Sequence, residues 1–269
     1  MNESVKQVLF HEVGCLFPGE TTVETLEPST SVKDALAVML EKNYSQMPVV
    51  EDGIVRGVFS LRSLAANIGR LAKLDVASLP VEELMEQIPY VSVKDSLHRI
   101  WTQLNQYDAL LVGNVQQVQA IATTFDVLKY FYALAKPYIL LWEIELTLRR
   151  LIEIAVPDET LSQCISAALA SHYEKLKRPC PTFLVQMTFE DYRSLLGYRE
   201  NWPHFEQVFG RREVVLARME QVRDIRNDVF HFRDAFTFEK LQTLAAMRDW
   251  AWDKVNRAER IVSGGHDER

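Results

Sequence analysis

Arg226, Asn227 and His231 lie within one short segment and bring together a cation, an amide and an imidazole. An imidazole titrates near neutral pH, so it can take the proton of a ribose 2′-hydroxyl or protonate a leaving 5′-oxygen. A guanidinium can hold two phosphoryl oxygens and stabilise the charge of a transition state. The amide can orient the imidazole or a phosphate. These residue types are the ones that metal-independent cleavage of RNA requires.

The spacing of the three residues limits how one helix can use them. Asn227 and His231 are four apart, so a helix places them on one face. Arg226 is five before His231 and lies about 140° round the helix axis, so one straight helix cannot aim both at the same atom. A shared site requires a bend near His231 or a second copy of the segment. A structural alternative is the polar end of a core helix, with Arg226 paired to Asp224 or Asp228.

Apolar residues at helical spacing predict that the whole second half of the chain is helical. Helices are predicted over 138–155, 161–177 and 211–228, and from a cap at Thr237 to Val255. Residues predicted to face inward on the 211–228 helix are Val214, Val215, Met219, Val222 and Ile225. Trp142, Leu146 and Ile152 widen the apolar side of the first helix to two faces, which predicts burial on both, as at a dimer seam.

Helix-capping residues divide the region between these long helices. Thr188 and Asp191 have the spacing of a capping box, for a helix ending near Gly197. Asn201 is predicted to cap a further short helix that closes at Gly210.

The segment Ile225 to His231, Ile-Arg-Asn-Asp-Val-Phe-His, resembles the signature of the HEPN family of all-α RNA-associated domains. In that signature an Arg, usually followed by a polar residue, precedes a His by about four to six positions. Segments 188–192, 201–205 and 208–210 look like landmarks of one bacterial HEPN branch, and the resemblance covers roughly residues 136–257. It implies a homodimer whose protomers complete one ribonuclease cleft, with catalytic roles for Arg226, Asn227 and His231. Glu143 or Glu145 would line this cleft, and the sequence does not choose between them.

The first half of the chain contains an internal repeat. Ser31-Val32-Lys33-Asp34 recurs as Ser92-Val93-Lys94-Asp95, and the copies are 61 residues apart there and 63 further on. Each copy is predicted to run strand, helix, strand, strand, helix. The first copy comprises 22–26, 31–41, 47–50, 54–59 and 61–71; the second comprises 89–91, 94–104, 109–112, 118–122 and a helix from 125, with a turn at 113–114.

Within this repeat, Ser45-Gln46-Met47-Pro48-Val49-Val50, Asp52-Gly53 and Gly57-Val58-Phe59-Ser60 resemble the paired cystathionine-β-synthase module, the CBS pair or Bateman module. The resemblance covers roughly residues 8–133. Members commonly bind adenosine-bearing ligands in clefts between the two repeats, through a Ser or Thr followed three residues later by Asp.

Thr123 and Asp126 carry that ligand-binding pattern intact. The resemblance implies that a hydroxyl and helix N-terminal N–H groups there meet a phosphate, while the carboxylate accepts both ribose hydroxyls. The first repeat has Ser63 where the Asp is expected, and the second lacks the Pro of Pro48 and offers Asp108-Ala109-Leu110 instead, so we expect one nucleotide site. The alternative is a helix N-cap with an acid in the first turn, which needs no ligand.

Charge and composition exclude a broad cationic coat for nucleic acid. The 269 residues carry 30 Lys and Arg against 37 acids, a net charge of −7. Residues 1–133 hold 10 basic and 16 acidic residues, whereas the remainder holds 20 and 21, so RNA requires a local patch. Cys15, Cys164 and Cys180 show no pairing or metal-ligand spacing, and the sequence has no secretory pattern or membrane-length apolar run, all typical of a cytoplasmic protein.

Together these patterns predict an α+β protein with a tandem β-α-β-β-α module followed by an all-α helical bundle. The expected domains are a CBS-pair regulatory domain at 1–133, a HEPN helical domain at 134–262 and a flexible tail at 263–269. The predicted function is a homodimeric, metal-independent RNA endonuclease regulated by an adenine nucleotide, in a defence or toxin context. The alternatives are a non-catalytic RNA- or protein-binding dimer gated by nucleotide, and a helical partner of a nucleotidyltransferase or an antitoxin.

Overall fold

The computed structural model describes residues 11–19, 22–67, 69, 74–232 and 237–264. The chain divides into two compact units, residues 1–132 and 133–269. The first unit combines short helices with two small sheets, and the second is largely helical. The predicted α+β fold class is confirmed at this level.

Each repeat of the first unit is built around a β-hairpin with helices beside it. The first repeat contains α1 (Val32–Lys42), β1 (Gln46–Glu51), β2 (Ile54–Ser60) and α2 (Leu61–Asn67). The second contains β3 (Tyr90–Val91), α3 (Leu97–Tyr107), β4 (Ala109–Asn114), β5 (Gln117–Thr123) and the start of α4 (Thr124–Ala155). Short 3-10 turns lie at Val13–Leu16, Val76–Ser78 and Val81–Glu83.

The two hairpins share one register, which confirms the internal repeat. Both are antiparallel, and each has an irregularity at the same place, between Val49 and Val50 in one and between Val112 and Gly113 in the other. In the second repeat β3 adds a parallel strand to β4. In the first repeat the predicted strand at 22–26 is reduced to one bridge, where Leu26 exchanges two backbone hydrogen bonds with the β1 segment.

Three boundaries in the first unit differ from the predictions. The helix predicted to start at 94 starts at Leu97, because the Asp95 carboxylate turns the preceding backbone and Ser96 caps the helix. The turn predicted at 113–114 lies at 115–116, because the Asn114 side chain accepts the backbone N–H groups of Gln116 and Gln117. The helix predicted over 61–71 is seen to Asn67, and its remaining residues other than 69 lie outside the described residues.

The apolar core of the first unit has a part inside each repeat and a part between them. Buried residues of the cluster between the repeats are Val58, Ile88, Ala109 and Leu111. Along each hairpin strand, alternate buried residues face either the cluster inside their own repeat or the cluster between the repeats. The two repeats therefore bury apolar surface against each other.

Helix α4 runs through Pro137, although the sequence predicted a new helix there. A proline inside a helix removes one intrahelical hydrogen bond, and it usually marks a helix start. Residues on both sides are good helix formers, so the helix continues despite that loss.

In the described part of the second unit, α4 packs with five further helices around one core. These are α5 (Asp158–Lys175), α6 (Phe189–Gly197), α7 (Trp202–Phe209), α8 (Arg212–His231) and α9 (Phe238–Gly264), with a 3-10 turn at Leu184–Gln186. Helix α9 ends inside the segment predicted as a tail, and residues 265–269 lie outside the described part of the chain. Trp142 and Leu146 are exposed in the single chain, while the opposite side of α4 enters the core.

The predicted caps hold at two of three positions. Thr188 and Asp191 form the capping box, and Thr237 accepts the backbone N–H of Lys240. Asn201 precedes α7, but its side chain makes no cap. It is buried and donates to two backbone carbonyls of other segments. The amide that was predicted to cap α7 therefore makes tertiary hydrogen bonds instead. Val214, predicted to face inward, is exposed.

Candidate functional site

Helix α8 carries the Arg226 segment at its C-terminal end. Its buried face consists of Val215, Met219, Val222, Ile225 and Val229. Arg226 and Asn227 flank that face and are half-buried, whereas His231 is the last helical residue and is exposed. Phe232 then takes a left-handed conformation with φ 52°, which ends the helix.

Arg226 has no carboxylate partner among the described residues. Asp224 accepts two hydrogen bonds from Arg223, at 2.8 and 3.0 Å. Asp228 is paired with Lys240 at 2.8 Å. The structural alternative pairs Arg226 with a carboxylate such as Asp224 or Asp228, and among the described residues these two acids pair with Arg223 and Lys240 instead.

Arg226 instead lines a pocket of about 320 Å³ in the second unit. Its guanidinium carbon lies 5.0 Å from the centroid of the Phe230 ring, at the distance of a cation–π contact. Tyr138 meets the same ring edge to face, with centroids 5.6 Å apart. Trp142, 64% exposed, completes an aromatic wall. Aromatic faces beside a guanidinium suit unstacked bases and their phosphates.

A second guanidinium, that of Arg149, lines the same pocket and is held in place. Its Nε donates to the hydroxyl of Tyr192 at 2.6 Å, and that hydroxyl donates to the Leu184 carbonyl at 2.6 Å. Its Nη2 contacts the Glu145 carboxylate. Burial lowers the pKa of Arg149, but the hydrogen bonds and charges of Tyr192 and Glu145 raise that pKa by more, so the guanidinium stays charged. Burial also raises the pKa of Tyr192.

The two glutamates that the sequence left open have different environments. Glu145 lines the pocket with Arg226, whereas Glu143 is paired with Arg248 at 3.1 Å. Arg149 was not predicted as a site residue, although its position four residues after Glu145 is the spacing of a helical ion pair.

The three residues singled out on α8 do not all meet in one chain. The described residues that line the pocket include Arg226 and neither Asn227 nor His231. This agrees with the angular separation of Arg226 and His231 on a straight helix. Among the described residues, the pocket therefore offers cations, a carboxylate and aromatic rings without an imidazole.

In the first unit, Thr123 and Asp126 form a capping box at the start of α4. The Asp126 Oδ2 atom accepts from the Thr123 N–H at 2.9 Å and from its hydroxyl at 2.5 Å, and the Asp126 N–H donates to Thr123 Oγ1 at 3.2 Å. Asp126 Oδ1 has no hydrogen-bond partner within the described ranges. The predicted alternative, a helix cap, is thus present, and one carboxylate oxygen is left for another partner.

Both residues also line a cleft of about 630 Å³ within the first unit. Its apolar wall includes Tyr44, Ala120 and Ile121. That volume lies in the range of small-molecule sites, which combine apolar walls with a few polar groups.

The equivalent position of the first repeat is closed. Ser60 and Ser63 cap each other through backbone and side chain, at 2.8 to 3.0 Å. Ser63 is only 2% exposed, and the Ser60 hydroxyl donates to Glu86. These hydroxyls are buried and engaged, and Ser63 offers no carboxylate, whereas Asp126 of the second repeat lines the cleft.

Two further features of the described residues concern metal binding and membrane crossing. No group of three or more His, Cys, Asp or Glu side chains there is placed to hold a metal ion. No helix in the described part of the chain combines the length and the apolar character needed to cross a bilayer.

Comparison with known proteins identifies the first repeat. Residues 20–70 match the family model described as the CBS domain, so the predicted CBS domain is confirmed there. A stretch of 79 residues is 29% identical to the CBS domain-containing protein YhcV of Bacillus subtilis (strain 168). That match covers 28% of this chain and 56% of YhcV, so the chain spans little more than half of that relative.

Solved CBS-domain structures are also similar to this chain. CBSX2, solved in complex with AMP, is 26% identical with a TM-score of 0.39, over 45% of this chain and 96% of CBSX2. A CBS-domain containing protein from Agrobacterium tumefaciens is 18% identical with a TM-score of 0.41, over 45% and 92% of the two chains. The CBS domain pair of protein MJ0100, solved with 5′-methylthioadenosine and S-adenosyl-L-methionine, is 16% identical with a TM-score of 0.39, over 45% and 96%.

Proposed function

We propose that this protein is a ligand-regulated, metal-independent RNA endonuclease. In this proposal the first unit binds an adenosine-type nucleotide, and the second unit binds and cuts RNA as a homodimer of HEPN type. The observation that carries the proposal is Arg226, a cation without an acidic partner among the described residues, beside aromatic rings in a pocket.

Nucleotide binding rests on the cleft of the first unit. Asp126 Oδ1 is available to a ribose hydroxyl, while Oδ2 is fixed by Thr123. A carboxylate held in one orientation binds with less loss of side-chain entropy than a mobile one. Tyr44 and Ile121 offer the apolar and aromatic surface that an adenine ring requires.

Calorimetry with AMP, ATP and adenine cyclic nucleotides tests this part of the proposal. We expect one site per chain, and we expect Asp126→Ala to abolish binding. Asp34→Ala is the matched control, because Asp34 has the same capping contact with Ser31 at the start of α1 and does not line the cleft. Two equal sites, or unchanged binding by Asp126→Ala, would refute the assignment.

RNA cleavage rests on the second unit. Arg226 supplies a cation for a phosphate, Arg149 lies beside it in an ion pair with Glu145, and the aromatic wall supplies stacking for a base. His231 is exposed at the end of α8, so a second protomer can receive it. In the proposed dimer the imidazole of one chain transfers protons at a phosphate held by Arg226 of the other, with Asn227 orienting the imidazole. The product would be a 2′,3′-cyclic phosphate.

Purified protein incubated with total RNA in EDTA tests the chemistry. We expect cuts in single-stranded or loop RNA that leave 2′,3′-cyclic phosphate ends. The rate should change when the ligand of the first unit is added, because that ligand is proposed to set the geometry of the dimer. Absence of cutting with and without every candidate ligand would contradict the endonuclease proposal.

A second candidate function is RNA or protein binding without cleavage. It is favoured by the position of His231, which does not share the pocket of Arg226 within one chain. The two functions differ in their response to His231→Ala. If His231→Ala binds RNA but no longer cuts it, the endonuclease is supported. If the wild-type protein itself binds RNA without cutting it, the binding module is supported.

A further inference from the structure

A second pocket, of about 640 Å³, adjoins the pocket of Arg226 in the second unit. Phe183 lines it, and it is called the Phe183 pocket below. Leu146 and Arg149 line both pockets, so the two follow one another along α4. The pocket of Arg226 begins on α4 at Tyr138 and the Phe183 pocket begins eight residues later, at Leu146, which is about 12 Å along the helix axis. Neighbouring nucleotides of one strand can therefore occupy the two pockets.

The Phe183 pocket displays an aromatic ring on a fixed turn. The Phe183 side chain is 66% exposed. Gln186 Oε1 accepts the backbone N–H groups of Thr182 and Phe183, at 2.9 and 3.3 Å, which closes the turn. Leu184 is buried in the core, and its carbonyl accepts a hydrogen bond from the Tyr192 hydroxyl. Because the turn is held on both sides, the ring is preorganised to stack on a flat partner.

The polar groups of the Phe183 pocket suit a base better than a phosphate. Both of its cations are engaged, since Arg149 contacts Glu145. Arg150 likewise contacts Glu259, at 3.0 Å. The Asp158 carboxylate, which also lines the pocket, has no hydrogen-bond or ion-pair partner among the described residues. An ionised carboxylate only accepts hydrogen bonds, so it repels a phosphate and attracts an amine.

We infer that the Phe183 pocket binds one base of the RNA strand whose phosphate lies at Arg226, with Phe183 stacking on the base and Asp158 accepting from its exocyclic amine. This inference rests on the proposed function and adds a specificity subsite to it. Cytosine presents an amine at N4, which a carboxylate accepts. Uracil presents the O4 carbonyl there, and its N–H lies between two carbonyl oxygens that repel a carboxylate. The protein therefore prefers a cytosine strand to a uracil strand.

Fluorescence anisotropy of the full chain with labelled 2′-O-methyl oligo(C) and oligo(U) of equal length, in EDTA, tests the inference. We expect oligo(C) to bind about fivefold or more tightly, from one charge-assisted hydrogen bond. Asp158→Asn should remove most of this preference, because an amide can pair with either base. Glu159→Gln is the matched control, because Glu159 is the adjacent acid in the first turn of α5 and does not line the pocket. Equal binding of the two strands by the wild-type protein, or a preference that survives Asp158→Asn, would overturn the inference.

Phe183 variants separate stacking from general apolar contact. Phe183→Tyr keeps the flat ring and should keep the affinity for both strands. Phe183→Leu keeps an apolar side chain and should weaken both strands about fivefold or more, because base stacking is lost. Unchanged affinity in Phe183→Leu would contradict the subsite. Dissociation of a homodimer by Phe183→Leu in light scattering would assign this face to a second copy of the chain and would also overturn the inference.

Arg226→Ala in the same assay tells a failure of the subsite from a failure of the proposed function. If Arg226→Ala weakens both strands while the Phe183 and Asp158 variants bind like the wild-type protein, the subsite alone is refuted. If neither strand binds the wild-type protein, the RNA binding of the proposed function is refuted together with the subsite.

Discussion

Replacement of Arg226 separates the role of its charge from that of its planar fork. In Arg226→Ala the pocket loses a guanidinium that makes no ion pair among the described residues, so all of its donors are available to RNA. Hydrogen bonds to charged groups contribute about 1.5–3 kcal/mol, which corresponds to roughly a 10- to 150-fold weaker Kd. The fold should persist, because the lost cation–π contact with Phe230 contributes only about 0.5–1 kcal/mol.

Fluorescence anisotropy with a labelled, 2′-O-methylated single-stranded RNA in EDTA measures this effect without cleavage. The slope of log Kd against log salt should fall by about 0.7 in Arg226→Ala, the value for one phosphate contact on a single strand. Arg226→Lys should keep the slope and recover little of the affinity, because a point charge cannot reproduce the bidentate fork.

Arg223→Ala is the matched control on the same helix. It removes the same charge, but Arg223 is already bound to Glu220 and Asp224 and does not line the pocket. Exposed pairs of this kind contribute little, so Kd should change less than about threefold. Equal losses in Arg226→Ala and Arg223→Ala would refute the role given to the pocket and leave only a general charge effect.

Four further outcomes are expected. His231→Ala should lower RNA cleavage about 10²- to 10⁴-fold while the protein stays folded, and cutting at the wild-type rate would refute its role in proton transfer. Light scattering at micromolar concentration should show a homodimer whose interface buries more than about 1,000 Å² of surface; a monomer would contradict the composite site. Asn201→Ala should lower the free energy of unfolding by about 2 kcal/mol, because two backbone carbonyls lose a buried donor, whereas half-buried Asn227→Ala should change it less than about 0.5 kcal/mol in denaturant titrations. Burial and the hydrogen bond to Asp191 raise the pKa of Tyr173 to about 12 from 10.0. The neutral Tyr173 hydroxyl therefore stabilises the fold below pH 10, and this contribution to the free energy of unfolding is lost as the pH rises toward 12. Tyr173→Phe should make the free energy of unfolding depend less on pH between 10 and 12.

Local patterns predicted most of the secondary structure. Period-two and helical patterns predicted both hairpins and the long helices, but the turn of the second hairpin was predicted two residues too early. Capping residues were predicted where their partner lies within three positions, as with Thr188 and Asp191. Such contacts depend on the neighbouring backbone alone, which is why the sequence reveals them.

One prediction failed because a distant part of the chain competes for a side chain, and two failed for other reasons. Asn201 has the residue type of a helix cap, but packing brings two carbonyls of other segments within its reach. Pro137 has the residue type of a helix start, but it lies inside α4. Val214 was predicted to face inward together with Val215, but only Val215 is buried. Adjacent residues of a helix point in different directions, and the packing of α8 decides which of the two meets the core.

The sequence by itself determined the division into a β/α repeat and a helical region, the CBS domain of the first repeat, and the difference between Ser63 and Asp126. These depend on residue identity and on short or regular spacing. Only the tertiary structure decided that Asp224 and Asp228 are engaged by other cations, that Glu145 rather than Glu143 lines the pocket of Arg226, and that Arg149 joins it. The physical reason is that an ion pair or a pocket depends on which helices pack together, and residues far apart in the chain then compete for the same charged group.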